Sequence, residues 1–260
     1  MLAAERHAKI TAALRSDGAV KVVELAELLD VSEMTIRRDL DVLDERELLR
    51  KVHGGAIARS NRGVEPPSTA KAARQHAEKV AIGRAALAAV EDGMTIAVSA
   101  GTTTLELARL LRGRSSITVV TNSISIFQEL TGHPDEPNPI VYLTGGSRTP
   151  SDALVGPIAN SALDSFRVDA VFLGVHGFDI ESGLTSPNIA EAETNRRLIA
   201  TGRRLFVLAD NTKYREVGTN VFGRMSDIDT LVVDDGLAPS DRTALASHLE
   251  NIVIADTEKE

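Results

Sequence analysis

Residues 31–56 are VSEMTIRRDLDVLDERELLRKVHGGA, and this stretch decides the fold of the first part of the chain. Ser32 offers a side-chain oxygen as a helix N-cap. Ile36, Leu40 and Leu43 then follow at the i, i+4, i+7 spacing that places them on one buried helix face. After this helix come two short apolar runs separated by a glycine turn, which is typical of a small β-wing. The stretch therefore predicts a helix, a wing and, with the residues before it, a helix-turn-helix.

The residues before this stretch supply the rest of that domain. A support helix is expected from about residue 3 to residue 16, and a second apolar helical pattern covers residues 23–29. The helix-turn-helix motif then spans about residues 20–39. Strands at 48–52 and 56–58 flank the turn His53-Gly54-Gly55 and complete a winged helix-turn-helix domain over residues 1–58.

The face of the second helix opposite its buried face predicts contacts with DNA. Met34 and Arg38 point away from the core, and Thr35 and Arg37 lie to either side, where they can reach phosphates or base edges in a major groove. Arg38 is the strongest candidate for base readout, and a basic wing can clamp the adjacent backbone. A protein-docking domain is the alternative for this pattern. The candidate DNA-binding residues are Ser32, Met34, Thr35, Arg37, Arg38, Arg50, Lys51 and His53.

The charge of the chain restricts how it can bind nucleic acid. The formal net charge is -8, which argues against indiscriminate coating of DNA, because phosphate binding relies on Lys and Arg. Within the first domain, acids at 24, 27 and 30 precede a basic group that begins at Arg37. This segregation suits one DNA-facing side, although an ordinary solvated helix with mixed charges could also carry it.

The composition excludes several other classes of protein. The chain has 260 residues and 43% hydrophobic residues, which favours two globular domains. It has no apolar run of 18 residues and no signal-peptide pattern, so a cytoplasmic location is expected. Cysteine is absent and the six histidines lack metal-ligand spacing; nucleotide-binding glycine motifs are absent as well. No cofactor and no metal are expected.

The remainder of the chain has the pattern of an α/β domain. Residues 59–78 read as a linker and the start of a helix, and residues 79–260 as the second domain. Helical patterns alternate there with seven apolar runs, which predicts βαβ units and a mostly parallel sheet. The runs are residues 94–98, 117–121, 140–144, 168–173, 204–209, 229–233 and 252–254.

Polar residues follow these runs at the positions where ligands bind in open α/β sheets. The first run leads through Ser99 to Gly101-Thr102-Thr103-Thr104 and into a helix, whose free N–H groups predict an anion cradle. The residues after the other runs supply hydroxyl groups, glycines that let a ligand approach the backbone closely, and one lysine. A phosphate joined to a polyol is the simplest ligand that matches these groups. The candidate effector-binding residues are Ser99, Gly101, Thr102, Thr103, Thr104, Thr121, Asn122, Ser123, Gly145, Gly146, His176, Glu191 and Lys213.

Each of these signals also has a purely structural explanation. The threonine cluster can be no more than a helix cap, and Gly145-Gly146 no more than a turn. Lys213 can be a surface lysine and His176 a loop histidine with ordinary partners. Their shared place at strand ends favours the binding site.

With these motifs in hand, the chain resembles the DeoR family of regulators. The family's helix-turn-helix pattern is met by Arg6, Ile10, Leu14, Ser32, Thr35, Ile36, Arg37, Arg38, Asp39 and Leu40, and its wing by residues 50–56. The resemblance continues through Gly101-Thr102-Thr103, Thr121-Asn122-Ser123, Gly145-Gly146, Gly183-Leu184-Thr185, Glu191-Ala192 and Ala209 to Lys213. It implies a sugar-phosphate sensor domain with a fold similar to that of ribose-5-phosphate isomerase.

The sequence departs from the family pattern at three positions. Glu47 stands where a glycine usually follows the recognition helix. Ser99 stands where an Asp commonly precedes Gly-Thr-Thr, and Asn195 where a Lys commonly follows the Glu-Ala pair. The last two departures remove one acid and one base from the expected pocket, so the usual ligand geometry is not assured.

These observations predict a DNA-binding transcriptional regulator, a repressor of carbohydrate metabolism genes controlled by a phosphorylated sugar or sugar acid. Its expected partners are a double-stranded DNA operator, the effector, and further copies of the chain in a homodimer or larger oligomer. The alternative is a sugar-phosphate isomerase-like enzyme with a DNA-binding appendage. Such an enzyme needs a carboxylate base and a cation, roles open to Glu191, Glu193 or Asp210 with Lys213.

Overall fold

The computed structural model describes residues 2–17, 19–46, 48–52, 54–58, 68–132, 135 and 137–258. The chain forms two compact units, residues 1–61 and 62–260. The mixed fold class expected from the sequence is confirmed: a winged helix-turn-helix comes first and an α/β unit follows.

The first unit consists of three helices and a three-stranded sheet. Its core contains Ile10 and Leu14 from the first helix and Ile36, Leu40 and Leu43 from the third, and all five are at most 3% exposed. The predicted periodicity is therefore confirmed. The elements are α1 Ala3–Asp17, β1 Ala19–Lys21, α2 Val22–Leu29, α3 Glu33–Glu45, β2 Leu49–Val52 and β3 Gly55–Ala58.

The wing contains one strand more than the sequence predicted. β2 and β3 form the expected antiparallel pair, and β1 adds to the other side of β3, with Val20 opposite Ala56. β1 has only three residues, too few for an alternating pattern to show. Gly54 makes the turn at φ +80°, and a Cβ on Gly55 would lie 2.0 Å from the carbonyl oxygen of Val20. Glycine at position 55 is thus what allows β1 to pair.

The second unit is built on a seven-stranded parallel sheet. All seven predicted runs are strands of this sheet, in the order β15-β14-β12-β9-β4-β5-β6. The strands are β4 Thr95–Val98, β5 Thr118–Thr121, β6 Ile140–Leu143, β9 Ala170–Gly174, β12 Leu205–Ala209, β14 Thr230–Asp234 and β15 Asn251–Ala255.

Helices cover both faces of this sheet, because successive residues of a strand point to opposite faces. On β9, Phe172 packs with the helices that precede β6, and Val171 and Leu173 pack with the later ones. The helices of the unit are α4 Ser68–Ala72, α5 His76–Leu87, α6 Thr102–Leu110, α7 Ile124–Thr131, α8 Pro157–Asp164, α9 Ile189–Thr201 and α10 Pro239–Ala246.

Short strands in the connections were not predicted. They form a hairpin and a separate three-stranded antiparallel sheet. Runs of two to four residues that contain glycine and polar side chains give no periodic signal. These strands are β7 Ser147–Arg148, β8 Leu154–Val155, β10 Gly177–Asp179, β11 Gly183–Ser186 and β13 Asn220–Gly223, and 3-10 turns occupy Asn211–Lys213 and Met225–Asp227.

Candidate functional sites

The helix-turn-helix has the geometry expected of a DNA-reading motif. α2 ends at Leu29, and the next residue, Asp30, adopts a left-handed conformation with φ 52°. Ser32 then caps α3, because its side chain accepts a hydrogen bond from the Thr35 N–H at 3.2 Å. The predicted N-cap is confirmed, and three residues separate the two helices. The Ser32 and Thr35 hydroxyls also share a hydrogen bond of 2.9 Å, so the start of the helix is held rigidly.

The predicted outward face of α3 is exposed. Met34 is 58% exposed, and Arg37 and Arg38 are exposed beside it, while Thr35 is half-buried. Asp39 on the opposite side is buried. The helix therefore presents a hydroxyl, a thioether and two guanidinium groups along one side.

Acidic neighbours hold two of the predicted DNA-binding cations. Arg37 pairs with Glu33 at 2.9 Å, and Lys51 of the wing pairs with Asp41 of α3. All four side chains are exposed, and exposed pairs contribute little, so a phosphate can replace either acid. Arg50 lies in β2, and His53 lies outside the described residues.

A partly buried ion pair joins α3 to α1. The carboxylate of Asp39 accepts hydrogen bonds from Arg6 at 2.7 and 3.1 Å and lies 2.9 Å from Nε2 of His7. Burial raises the pKa of Asp39, but the hydrogen bonds and charges of Arg6 and His7 outweigh burial and leave that pKa below its usual value. In the sequence, Arg6 and Asp39 are only two of the positions that match the family pattern. In the structure they pair with each other and connect α1 to the recognition helix.

In the second unit, the predicted effector residues other than Glu191, which lies in α9, lie at or after the carboxyl ends of five adjacent strands. β12, β9, β4, β5 and β6 are neighbours in the sheet, and the polar residues that follow them share one edge. Ser99, after β4, accepts a hydrogen bond from the Gly174 N–H at 2.9 Å and so joins the ends of β4 and β9. Asn122, after β5, accepts from the Ala100 N–H at 2.8 Å and joins the ends of β5 and β4.

A small cavity of about 150 Å³ opens at this edge beside the start of α6. Three predicted residues line it: Gly101, Thr102 and Ser123. The first N–H groups of α6 have no partner within the helix, so they can donate to a bound anion. The other lining residues are Ser68, Thr69, Ala72, Leu105, Ser125, Ser151 and Asp152.

Most of the other predicted hydroxyls are used inside the fold. The Thr104 hydroxyl donates to the carbonyl oxygens of Ser99 and Gly101, at 2.8 and 3.0 Å. Thr121 donates to the Val98 carbonyl at 2.7 Å, and the Ser123 hydroxyl caps α7. Thr103 is 7% exposed and does not line the cavity. These groups hold the strand ends in position.

The remaining predicted residues surround the site without lining the cavity. Gly145 and Gly146 form the turn after β6 with positive φ, and His176 lies 3.6 Å from the Glu216 carboxylate. Glu191 accepts a hydrogen bond from Ser151, which does line the cavity. Lys213 ends a 3-10 turn after β12.

Sequence reasoning missed the residues that close the cavity. Ser125 donates to Asp152 at 2.6 Å, and Arg148 donates to the same carboxylate at 2.5 Å. Ser125 follows the predicted Thr-Asn-Ser cluster by two positions, which was the available signal. Asp152 lies in a turn at φ 72°, and no periodicity predicts where such a turn folds.

Lys79 of α5 was also missed, because a lysine in a helical pattern is usually exposed. Its side chain is only 3% exposed, and its ammonium donates to the carbonyl oxygens of Lys71 and Arg74. Burial lowers the pKa of Lys79 to about 8; nearby Asp210 opposes this change, and nearby Lys213 and Lys71 add to it.

Within the described residues, no group of three His, Cys, Asp or Glu side chains could hold a metal ion. The helices of the same part of the chain are all too short or too polar to span a bilayer.

Comparison with known proteins identifies both units. The profile of the DeoR-like helix-turn-helix domain matches residues 6–62, and that of the DeoR C terminal sensor domain matches residues 74–235. The chain is 36% identical to the HTH-type transcriptional regulator GolR of Listeria innocua, over 89% of this chain and 90% of the relative. It is 33% identical to the transcriptional repressor AccR of Agrobacterium fabrum, over 89% and 90%.

Among solved structures, ribose 5-phosphate isomerase A from Methanocaldococcus jannaschii matches 55% of this chain and 56% of its own, with 16% identity and a TM-score of 0.40. A likeness at this level concerns part of the fold and carries nothing about activity.

The family profiles and the curated relatives, rather than this fold likeness, decide between the two functions that the sequence left open. Two family profiles, one for reading DNA and one for sensing, together account for most of the length, and the relatives named above are regulators over nine-tenths of theirs. The enzyme alternative is thereby set aside, and the chain belongs to the DeoR family of DNA-binding transcriptional regulators.

Proposed function

We propose that this regulator is a repressor whose affinity for its operator is controlled by a phosphorylated sugar or sugar acid. The effector binds at the carboxyl edge of the parallel sheet, beside the start of α6. The observation that carries the proposal is the cavity of about 150 Å³ in which Gly101 and Thr102 meet hydroxyl groups from three other segments. The AccR relative is named a transcriptional repressor, which supports repression rather than activation as the role of this chain.

The start of α6 suits the phosphate. Gly101 is extended and brings no side chain to the helix end, so an anion can approach the N–H groups of Thr102 and Thr103 closely. The helix dipole favours a negative charge there. Lys213 and Lys79 place positive charge at the neighbouring end of β12, where the acid Asp210 partly balances it.

The opposite wall of the cavity suits a polyol. Ser125, Ser151 and Asp152 present two hydroxyls and one carboxylate, and Glu191 stands behind Ser151. Hydroxyl and carboxylate groups exchange hydrogen bonds readily with sugar hydroxyls. A ligand with a phosphate at one end and several hydroxyls at the other satisfies both walls.

The DNA is read by α3 and held by the wing. Arg38 is exposed on the outward face of α3 and can reach a guanine, for which arginine is the commonest bidentate partner. Ser32, Thr35, Arg37, Arg50, Lys51 and His53 are proposed to contact the backbone, and Met34 to make an apolar contact in the groove.

A thermal-shift screen of pentose phosphates, hexose phosphates and phosphorylated sugar acids tests the sensing half of this proposal. A ligand at 100 times its Kd should add about 2.7 kcal/mol to the free energy of unfolding. The matching unphosphorylated sugars serve as controls and should shift the transition far less. A panel in which the free sugars stabilise the protein as much as their phosphates would contradict the anion cradle.

A further inference from the structure

The short helix α4 forms one wall of the cavity. Ser68, Thr69 and Ala72, three of its five residues, line the cavity, so a ligand that fills it contacts α4 directly. α4 is also the first element described after the segment that leads from the DNA-binding unit. A ligand that displaces α4 therefore moves the chain at the point where the described part of the second unit begins.

Two hydrogen-bonded contacts hold α4 at its two ends. At its start, the Ser68 N–H donates to the Pro150 carbonyl at 3.3 Å, in the loop that also carries Ser151 and Asp152. At its end, the ammonium of Lys79 donates to the carbonyl oxygens of Lys71 and Arg74. Ala72 and the residues after it are exposed, so apolar packing contributes little at that end.

The contact through Lys79 is adjustable. Its ammonium is buried, and Lys71 and Lys213 repel it, while Asp210 attracts it. Because these contributions oppose one another, a further charge nearby changes how strongly the charged form of Lys79 is favoured. An anion bound at this edge of the sheet favours the ammonium and its hydrogen bonds to α4.

We propose that α4 is a movable wall of the cavity, that Lys79 and the Ser68 amide hold it in place, and that its position controls the affinity of the chain for DNA. The identity of the molecule that shifts α4 rests on the proposed effector site, and the rest of the proposal is independent of that site. Lys79 is a positioning residue in this arrangement, since it acts through α4.

The test uses the full chain without any ligand and an operator selected from a random DNA library with the wild-type protein. Hydrogen exchange of residues 68–75 is measured in wild type and Lys79→Met. We expect exchange to become about tenfold faster in this segment, because a charged hydrogen bond to the carbonyls is lost. Exchange in β4 and β5 should not change. Arg84→Met removes a cation at an exposed position of the same helix and is the matched control.

The same variants are then compared for operator affinity by fluorescence anisotropy. Lys79→Met should change the Kd by about 2- to 30-fold, and Arg84→Met should leave it unchanged. Ser68→Pro loosens α4 at its other end by removing the N–H donor, at a first helical position where proline is tolerated. It should change the Kd in the same direction as Lys79→Met.

Exchange over residues 68–75 that is unchanged in both variants would overturn the proposal, and so would faster exchange with an unchanged Kd. Failure of the effector site is a separate result. In that case the sugar-phosphate screen shows no binding to wild type, while the ligand-free comparison keeps its outcome.

Discussion

Arg6 of α1 and Asp39 of α3 are joined by two hydrogen bonds, and both side chains are largely removed from solvent. The pair connects the support helix to the middle of the recognition helix. Because the carboxylate has lost most of its hydration, it depends on Arg6 for compensation. The orientation of the DNA-reading face is therefore set by an interaction on the opposite side of the helix.

Arg6→Met should destabilise the DNA-binding unit clearly more than the loss of a surface pair would, because it leaves the carboxylate of Asp39 without its main partner. Urea denaturation followed by circular dichroism measures this change. Arg37→Met removes an exposed pair with Glu33 and is the control, with an expected loss below about 0.5 kcal/mol. Equal losses in the two variants would show that the Arg6–Asp39 pair contributes no more than a surface pair.

The pH dependence of the same pair has a definite sign. The pKa of Asp39 is lowered in the folded state, so its contribution to stability is present above the unfolded pKa, which is about 3.9, and is lost as the pH falls through the folded value. The stability advantage of wild type over Asp39→Asn should therefore shrink as the pH falls below about 4. Unfolding curves of both proteins at a series of acid pH values check this, and an advantage that stays the same from about pH 5 down to about pH 2 would contradict it.

Lys79 gives a dependence of the same sign in the alkaline range. Its folded pKa of about 8 lies below the unfolded value near 10.4, so between these values the unfolded chain binds more protons. Wild type should gain up to about 3 kcal/mol relative to Lys79→Met as the pH rises across this window. Paired thermal melts of the two proteins measure the difference, and a difference independent of pH would show that the lysine is not desolvated.

Arg38→Ala should reduce the preference for the operator over random DNA, because a bidentate contact with guanine is worth about 1 to 3 kcal/mol. Arg50→Ala should weaken binding to all sequences alike, as expected for a wing residue that contacts phosphate. Gel shifts with both DNA types give the specificity ratio. If that ratio is the same in Arg38→Ala as in wild type, another residue reads the base.

Thr102→Glu should abolish the response to the effector, because it places a carboxylate where the cavity would hold phosphate. Wild-type coupling of about 1 to 3 kcal/mol corresponds to a 5- to 150-fold change in operator affinity. Anisotropy titrations of labelled operator, with and without the best ligand of the thermal-shift screen, measure it. Ligand-free DNA binding of the variant is the control and should match wild type.

The regulator should bind its operator as a homodimer or larger symmetric oligomer, because one recognition helix reads too few base pairs for a specific site. Analytical ultracentrifugation of the protein alone and with operator gives the stoichiometry. A monomer at micromolar concentration that binds one per operator would be incompatible with this expectation.

The fold was predictable where the sequence has a strong local cause. Ser32 caps α3 because of its own side chain, and buried strands such as β12 are apolar along their whole length. The site was predictable only in part. A threonine such as Thr104 has the same appearance in the sequence whether its hydroxyl faces a ligand or a carbonyl, and here it donates to Ser99.

The cavity walls depend on contacts between distant segments. Ser125 and Asp152 are 27 residues apart, and Ser151 and Glu191 are 40 apart. Neither pair lies within one helix or strand, so no spacing rule brings it together. The burial of Lys79 likewise follows from α4 folding over it, which a helical pattern cannot show.

The carboxyl ends of five neighbouring strands face the same side of the sheet, and each is followed by its own connection. Core residues such as Phe172 and Val207 lie within the strands and pack against the helices of these connections, not against the short polar loops that follow the strand ends. Single side chains in one loop can therefore be changed while the helices and strands that form the core stay as they are. If the proposed effector site is correct, a sheet of this kind allows the ligand preference to change through small local substitutions, which would make the second unit a practical starting point for engineered biosensors.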